Sequence, residues 1–297
     1  MDPAIDMQQL TKRFRGKTAV DRLILVVPAG SIFALLGDNG AGKTTTIKML
    51  TGLLRPDGGR ATVLGQDSWA AAASLRHKIG YVPERPKFYD WMSVGEIGWF
   101  TSGFHQATFL PRYHELINRF QLDAKAKLCE LSKGQYAKVA LALALAPDPE
   151  VLILDEPTSG LDLFVRREFL ASMVDLAGQG RTILISSHQI AEVERIASHV
   201  AFIADGRLLL TMTMDEVRQR IVRLRLRFEA QAPDPAPLGT VLQRNGSGKD
   251  WQVVIQDPIP AAVEALRTAQ GIFDFEESPL PLEEVYIALL ARQEGNP

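Results

Sequence analysis

A glycine-rich octapeptide at residues 37–44 carries the strongest chemical signal in this chain. It reads Gly-Asp-Asn-Gly-Ala-Gly-Lys-Thr and matches the pattern G-x-x-x-x-G-K-[ST] in full. Glycines let backbone N–H groups close around a phosphate, while the lysine reaches the outer phosphate oxygens and the threonine hydroxyl suits Mg²⁺. The loop and the residue after it are predicted to bind a nucleoside triphosphate through Gly37, Asp38, Asn39, Gly40, Ala41, Gly42, Lys43, Thr44 and Thr45.

Two carboxylates follow an aliphatic run at residues 151–154. The run has the pattern of a buried strand, and Asp155 and Glu156 come directly after it, where open α/β sheets place their chemistry. A carboxylate beside a phosphate loop holds Mg²⁺, usually through water, and Asp155 suits that role. Hydrolysis also needs a group that orients and deprotonates the attacking water, and Glu156 is the predicted base.

Two further polar residues follow apolar runs of the same kind. His188 comes shortly after residues 182–185, and Glu84 comes shortly after residues 79–82. Because the carboxyl ends of parallel strands share one edge of a sheet, both side chains are expected near the same phosphates.

These residues need a strand, a loop and a helix to position them. Residues 31–36 form an apolar strand pattern before the glycine-rich loop. Residues 45–54 predict a helix after it, with Ile47, Leu50 and Leu54 on one face. This strand-loop-helix setting is the one that the phosphate-binding motif requires.

Composition limits the possible functions. The chain has 297 residues, with 33 Lys and Arg against 35 Asp and Glu. Its net charge of −2 therefore does not favour nucleic-acid binding. Cys129 is the only cysteine, which excludes an internal disulfide. The N-terminus lacks the pattern of a secretory signal, and the longest apolar run, at 139–146, is far shorter than the ~20 residues that cross a bilayer. A cytoplasmic location is expected.

The chain is predicted to have two domains. Residues 1–222 form the larger, in which a β-rich layer at 5–36 precedes a helical insert at about 88–146. Capping boxes at Ser93 and Ser132 mark two helix starts in this insert. Its aromatic residues either fill the insert's own core or line a docking groove for another protein.

Residues 223–297 form the predicted second domain, a small α+β unit. A proline-rich stretch at 231–237 predicts a stiff loop in this domain. Residues 191–197, which precede the domain, predict a helix. Residues 246–250 look like the end of a phosphate loop, but Asn245-Gly246 between two strand patterns favours a hairpin turn.

The order of the motifs resembles the nucleotide-binding subunits of ABC transporters over roughly residues 5–213. The resemblance rests on GDNGAGKT at 37–44, LSKGQ at 131–135, VLILDEP at 151–157, SGLD at 159–162 and His188. It implies a P-loop NTPase domain of the ABC type, which binds ATP with Mg²⁺ and hydrolyses it. The overall fold class is therefore predicted as α/β, with the small α+β domain added at the C-terminus.

The resemblance also implies roles for residues outside the phosphate loop. Phe14 would stack on adenine, His188 would be the catalytic switch histidine, and Asp162 would lie in a loop that crosses a dimer. The LSKGQ segment would contact the γ-phosphate held by the opposite subunit, through Ser132, Lys133, Gly134 and Gln135. Two ATP molecules would then hold a head-to-tail dimer together, and hydrolysis would let it open.

Two positions depart from the family's usual residues. Glu84 stands where Gln is frequent, and Lys133 stands where Gly is usual. Glu84 still offers an oxygen to Mg²⁺, so the expected metal ligands are Thr44, Glu84 and Asp155. The charge of Lys133 favours a phosphate.

The expected partners are a second nucleotide-binding subunit and an integral membrane permease, with no nucleic acid. We expect a homodimer that drives export. The permease is expected to hold it on the inner face of the cell membrane. One alternative is a soluble ABC-type ATPase acting in DNA repair or translation, but the chain has neither a sustained heptad nor a second phosphate loop. Another alternative, a subunit that binds ATP without cutting it, is disfavoured by the presence of Asp155, Glu156 and His188.

Overall fold

The computed structural model describes residues 2–229, 236–246, 249–293 and 295. The proline-rich stretch predicted at 231–237 lies mostly outside these residues, as do two residues of the turn predicted at 246–250. No helix in the described ranges combines the length and the apolar character needed to cross a membrane.

The chain forms two compact units. The first runs to Gln189 and resumes over Arg195–Thr211, while the second holds Ile190–Glu194 and continues from Met212. The predicted domain boundary at 222/223 stays a prediction.

Strands and helices alternate through most of the chain. The strands are β1 Ile5–Phe14, β2 Lys17–Val27, β3 Ile32–Leu36, β4 Gly58–Val63, β5 Gln66–Asp67, β6 Ile79–Val82, β7 Val151–Asp155, β8 Thr182–Ser187, β9 His199–Ala204, β10 Arg207–Thr213, β11 Ile221–Phe228, β12 Thr240–Asn245, β13 Asp250–Gln256 and β14 Ile272–Pro279. The helices are α1 Lys43–Leu50, α2 Ala72–Leu75, α3 Val94–Ser102, α4 Phe109–Arg119, α5 Lys133–Leu145, α6 Leu163–Gly178, α7 Ile190–Val193, α8 Met214–Arg220, α9 Pro260–Arg267 and α10 Leu282–Gln293.

The central sheet brings the predicted site residues to one edge. Its strand order is β10-β9-β3-β8-β7-β6, and β3, β6, β7, β8 and β9 run parallel to their neighbours in this group. Leu36 pairs with Ser187, and Asp155 pairs with Ser186, so β3, β7 and β8 end level with one another. Every residue of these three strands is buried, which explains the apolar residues of β3, of positions 151–154 in β7 and of positions 183–185 in β8.

A second, antiparallel sheet supplies the predicted β-rich layer. Its order is β2-β1-β4-β5. One hydrophobic core joins this layer to the central sheet and α1, and it includes Ile5, Val27, Phe33, Ile47 and Val151. The phosphate loop therefore rests on a packed core that includes residues of both sheets.

Helix α1 begins two residues before the predicted start and ends four residues before the predicted end. Gly52 adopts a positive φ of 68°, and the N–H groups of Leu53 and Leu54 both donate to Lys48 O. This glycine-terminated turn closes the helix, since a left-handed residue cannot continue it.

The helical insert has a core of its own, which includes the buried Phe109 and Tyr113. Both predicted capping boxes are present, at Ser93 before α3 and at Ser132 before α5. Other aromatic residues of the segment are exposed, namely Tyr89, Trp91, Trp99, Phe100 and Phe104. The aromatic residues thus divide between an internal core and an exposed surface.

The second unit contains an antiparallel sheet with the order β12-β13-β11-β14. Leu224, Leu226 and Phe228 of β11 pack with Trp251 in its core. Helix α7 is shorter than the predicted helix at 191–197. Residues 194–196 form a turn, and Ser198 N–H then bonds to Ile32 O at 2.9 Å, just before β9.

Candidate active site

At two positions of the phosphate loop, the backbone conformation and the close neighbours allow only glycine. Gly37 has φ 153°, and a Cβ there would lie 2.1 Å from Ile203 O. Gly42 has φ 107°, and its Cβ would lie 2.5 Å from Ala19 O. Helix α1 begins immediately after Gly42, so its first N–H groups and the positive end of its dipole face the loop.

Lys43 is folded into this loop. Its side chain is only 5% exposed, and Nζ donates to Gly37 O at 2.7 Å and to Asp38 O at 3.1 Å. Nζ also lies 3.1 Å from Glu156 Oε1, which gives a buried ion pair. The predicted phosphate-binding cation and the predicted base are therefore direct neighbours.

Thr44 and Asp155 meet at the edge of the sheet. Thr44 Oγ1 donates to Asp155 Oδ1 at 3.1 Å, and Ser186 Oγ donates to the same oxygen at 2.7 Å. Burial raises the pKa of Asp155, and the charges of Glu156 and Glu84 add to the increase, whereas the two hydroxyl hydrogen bonds oppose it. A divalent cation would favour the ionised form at this position.

The donor set at this point fits Mg²⁺. A hydroxyl and a carboxylate are hard oxygen ligands, and Mg²⁺ commonly takes one or two protein ligands beside substrate phosphates. Within the described ranges, no cluster of three or more His, Cys, Asp or Glu residues could hold a metal without a substrate. Thr44 and Asp155 therefore suit a cation that arrives with a nucleotide.

Glu156 occupies the centre of the site. Its second carboxylate oxygen, Oε2, lies 2.7 Å from His188 Nδ1 and accepts a longer bond of 3.3 Å from His188 N–H. A proton on Nδ1 would make this contact a hydrogen bond from the imidazole to the carboxylate. The carboxylate thus connects Lys43 on one side to His188 on the other.

Glu84 lies in the loop after β6 and is less enclosed than the other acidic residues. Its side chain is 41% exposed and pairs with Arg85 at 3.5 Å. A cleft of about 680 Å³ is lined by Glu84, Lys133 and Ser159, among other residues. Glu84 is thus near enough to affect Asp155 by its charge and also faces the start of α5.

Phe14 ends β1 and exposes 46% of its surface. Lys12 Nζ lies 5.5 Å from the centre of its ring. The hairpin that carries Phe14 continues into β2, whose Ala19 O approaches Gly42. The aromatic ring is therefore carried by a hairpin that touches the phosphate loop.

The LSKGQ segment forms the N-terminus of α5. Ser132 Oγ accepts from Gln135 N–H at 3.2 Å, and Gln135 Oε1 accepts from Ser132 N–H at 3.0 Å. Both residues and Lys133 are exposed, whereas Gly134 is buried against α6. A Cβ on Gly134 would lie 2.7 Å from Val165 Cγ1, so a larger residue would separate the two helices.

Asp162 is exposed and caps α6, because its Oδ1 accepts from Phe164 N–H and Val165 N–H. Lys133 Nζ lies 3.6 Å from the position of a Cβ on Gly160. The LSKGQ segment and the loop that contains Asp162 therefore form one exposed surface.

Ser186 is a site residue that was not predicted from the sequence. This serine is fully buried, and it bonds to both Asp155 and Glu156. The signal in the sequence is a serine directly after the apolar run at 182–185, two positions before His188.

Comparisons with known proteins agree with this geometry. The sequence model of the family described as ABC transporter matches residues 20–159. The daunorubicin/doxorubicin resistance ATP-binding protein DrrA of Streptomyces peucetius is 33% identical over 96% of this chain and 92% of its own. The Nod factor export ATP-binding protein I of Burkholderia lata is 33% identical over 97% of each chain.

A solved structure of the ATP-binding subunit of an ABC transporter superposes with a TM-score of 0.66. It is 28% identical and covers 73% of this chain and 92% of its own. The expected P-loop NTPase fold is confirmed. This chain belongs to the ABC transporter family, as an ATP-binding subunit that is an ATPase.

Proposed function

We propose that this chain hydrolyses Mg-ATP as one half of a dimer that drives a membrane permease in the export direction. The observation that carries the catalytic part is Glu156, which lies between Lys43 and His188 at 3.1 and 2.7 Å. Export is supported by the names of the two relatives, one for drug resistance and one for Nod factor export.

In the proposed reaction, Glu156 accepts a proton from the water that attacks the γ-phosphate. His188 holds the carboxylate at Oε2, so the base has a fixed orientation. Lys43 neutralises charge on the outer phosphates. Because Lys43 already pairs with Glu156, an incoming phosphate would compete with the carboxylate for this cation.

Thr44 and Asp155 would hold Mg²⁺, with Glu84 as a further oxygen ligand. The cation would neutralise phosphate charge as the bond to the leaving group breaks. Asp155 is kept in place by two hydroxyl donors, so it needs little rearrangement to act as a ligand. Phe14 would stack on the adenine ring, which its exposed face permits.

The second half of each site would come from another subunit. The exposed N-terminus of α5 offers N–H groups and a positive dipole end, which suit a phosphate. Ser132, Lys133, Gly134 and Gln135 would contact the γ-phosphate held by the partner, with Asp162 beside them. In a homodimer, this arrangement would occur at both ATP sites.

Replacement of Ser132 by Ala is expected to weaken ATP-dependent dimerisation by roughly 10-fold, because one hydrogen bond to a charged phosphate is lost. ATP binding to the monomer should stay within about 2-fold of the original, since the phosphate loop is unchanged. Size-exclusion chromatography with ATP, in a Glu156→Gln background that prevents turnover, measures the dimer fraction.

Ser93→Ala is the matched control, because Ser93 also caps a helix through a complete capping box. Both variants lose a cap, which costs about 1 kcal/mol of stability. Equal dimer loss in both variants would show that the effect comes from the cap alone and would contradict the proposed contact in trans.

The permease is proposed to dock on the exposed aromatic surface of the insert, formed by Tyr89, Trp91, Trp99, Phe100 and Phe104. Tyr89 and Phe100 lie edge to face with ring centres 5.9 Å apart, and Phe100 and Phe104 are 5.6 Å apart. Trp99 and Phe104 are the most exposed of the five, at 68% and 70%. Docking there would hold the subunit at the inner face of the cell membrane.

Replacement of both Trp99 and Phe104 by Ala is expected to reduce recovery of a polytopic permease in membrane pull-downs by at least about 10-fold, since aromatic residues carry much of the energy of interfaces. ATP affinity of the purified subunit should not change. Phe273→Ala, which removes an aromatic side chain that is 61% exposed in the second unit, is the control. Undiminished recovery from the double variant would place docking elsewhere.

A further inference from the structure

Ser186 lies in the strand between the phosphate-loop strand and the strand that ends in the two carboxylates. It pairs with Asp155 across β7 and β8, and it is fully buried. Its Oγ donates to Asp155 Oδ1 at 2.7 Å and accepts from Glu156 N–H at 3.0 Å. One hydroxyl therefore connects the proposed metal ligand to the backbone of the proposed base.

This connection matters because Glu156 has an unfavourable backbone conformation. Its φ is 47°, in the left-handed region, which costs a residue with a Cβ about 1–2 kcal/mol. The N–H of Glu156 is shared between Ser186 Oγ at 3.0 Å and Ser186 O at 3.2 Å. Ser186 thus supplies both acceptors that hold this N–H in the strained turn.

The backbone conformation of Glu156 decides where its carboxylate lies. Oε2 is 2.7 Å from His188 Nδ1 and Oε1 is 3.1 Å from Lys43 Nζ. Catalytic groups lose rate when they are displaced by about 1 Å, because the reacting atoms are no longer aligned. Loss of the Ser186 hydroxyl would leave Glu156 N–H with the longer of its two bonds.

The chemistry of a hydroxyl explains why a serine suits this position. It has one proton to donate and lone pairs to accept, so it can serve a carboxylate and an N–H at the same time. Alanine offers neither function, and cysteine offers both only weakly.

We propose that Ser186 is a positioning residue for ATP hydrolysis, which fixes the backbone of Glu156 and the carboxylate of Asp155 through one shared hydroxyl. The proposal rests on the roles proposed above for these two acidic residues. Ser186 acts through them and does not touch the substrate.

The test compares Ser186→Ala with Ser187→Ala. Ser187 is the neighbouring residue, is also buried, and bonds instead to Gln189 N–H at 2.9 Å. For Ser186→Ala we expect kcat to fall roughly 10- to 100-fold, the effect of losing a charged hydrogen bond and its alignment. The KM for ATP, and the affinity for a fluorescent ATP analogue measured in EDTA, should stay within about 2-fold.

A second readout separates positioning from damage to the fold. Slow hydrolysis should let Ser186→Ala accumulate an ATP-bound dimer that the unmodified protein does not accumulate. A variant that is merely less stable would not accumulate this dimer. If Ser186→Ala fails to fold by circular dichroism, Ser186→Cys fills the same space with a poor hydrogen-bonding group and takes its place.

Three results would overturn the proposal: a kcat within about 2-fold of the original, a matching loss of kcat in Ser187→Ala, or a loss of ATP affinity as large as the loss of kcat. Glu156→Gln is measured in the same series. If that variant keeps full turnover, the proposed role of Glu156 is wrong, whereas a dead Glu156→Gln beside a fully active Ser186→Ala overturns only the inference about Ser186.

Discussion

Replacement of Glu156 by Gln is expected to lower ATP turnover by about 10²- to 10⁴-fold, the usual contribution of a general base. The amide has the shape of the carboxylate but cannot accept the proton of the attacking water. ATP binding should persist or become tighter, because the variant no longer offers Lys43 a carboxylate at 3.1 Å that competes with phosphate. The ATP-bound dimer should therefore accumulate.

Steady-state hydrolysis, nucleotide affinity and size-exclusion chromatography with ATP measure the three parts of this expectation. Glu150→Gln is the control, since Glu150 precedes the same strand, pairs with Lys78 at 3.0 Å and is exposed. An undiminished hydrolysis rate in Glu156→Gln would remove Glu156 from the role of base.

Replacement of Lys43 by Ala is expected to weaken ATP binding by about 100-fold or more, because charge-assisted bonds to the phosphates are lost. The same change should reduce stability by up to roughly 3 kcal/mol, since the buried Glu156 carboxylate loses its cation. The stability loss has to be separated from the binding loss.

The double variant Lys43→Ala/Glu156→Gln makes this separation. It removes the unpaired carboxylate, so urea unfolding should show a recovery of stability, while ATP affinity should stay low. Lys48→Ala, which removes an exposed lysine from the same helix, should change neither property. Normal ATP affinity in Lys43→Ala would contradict the proposed phosphate cradle.

Local sequence patterns were sufficient to predict those features of the structure that depend on residues close together in the chain. The capping boxes at Ser93 and Ser132 were predictable because both partners lie three residues apart. The strand from Ile79 to Val82 was predicted with the same bounds, because a short apolar run that ends before a proline favours a short buried strand. Asp205 and Gly206 connect β9 to β10 with positive φ angles of 47° and 76°, which a two-residue Asp-Gly turn favours.

Other features depend on contacts that sequence patterns do not show. The exposed aromatic residues of the insert could not be told from the buried ones, because Trp99 and Tyr113 are both compatible with an amphipathic helix. Helix α7 ends at Val193, four residues before the end of the predicted helix, and a turn at 194–196 follows it.

The phosphate loop, the carboxylates of Asp155 and Glu156 and the histidine after β8 could be located from the amino-acid sequence alone. Each lies at the end of an apolar strand, and these ends must lie at one edge of a parallel sheet. The connections among these groups depend on the three-dimensional fold. The pairing of Lys43 with Glu156, and the single hydroxyl of Ser186 between Asp155 and Glu156, arise from strand order and register, which bring together residues more than 100 and about 30 positions apart.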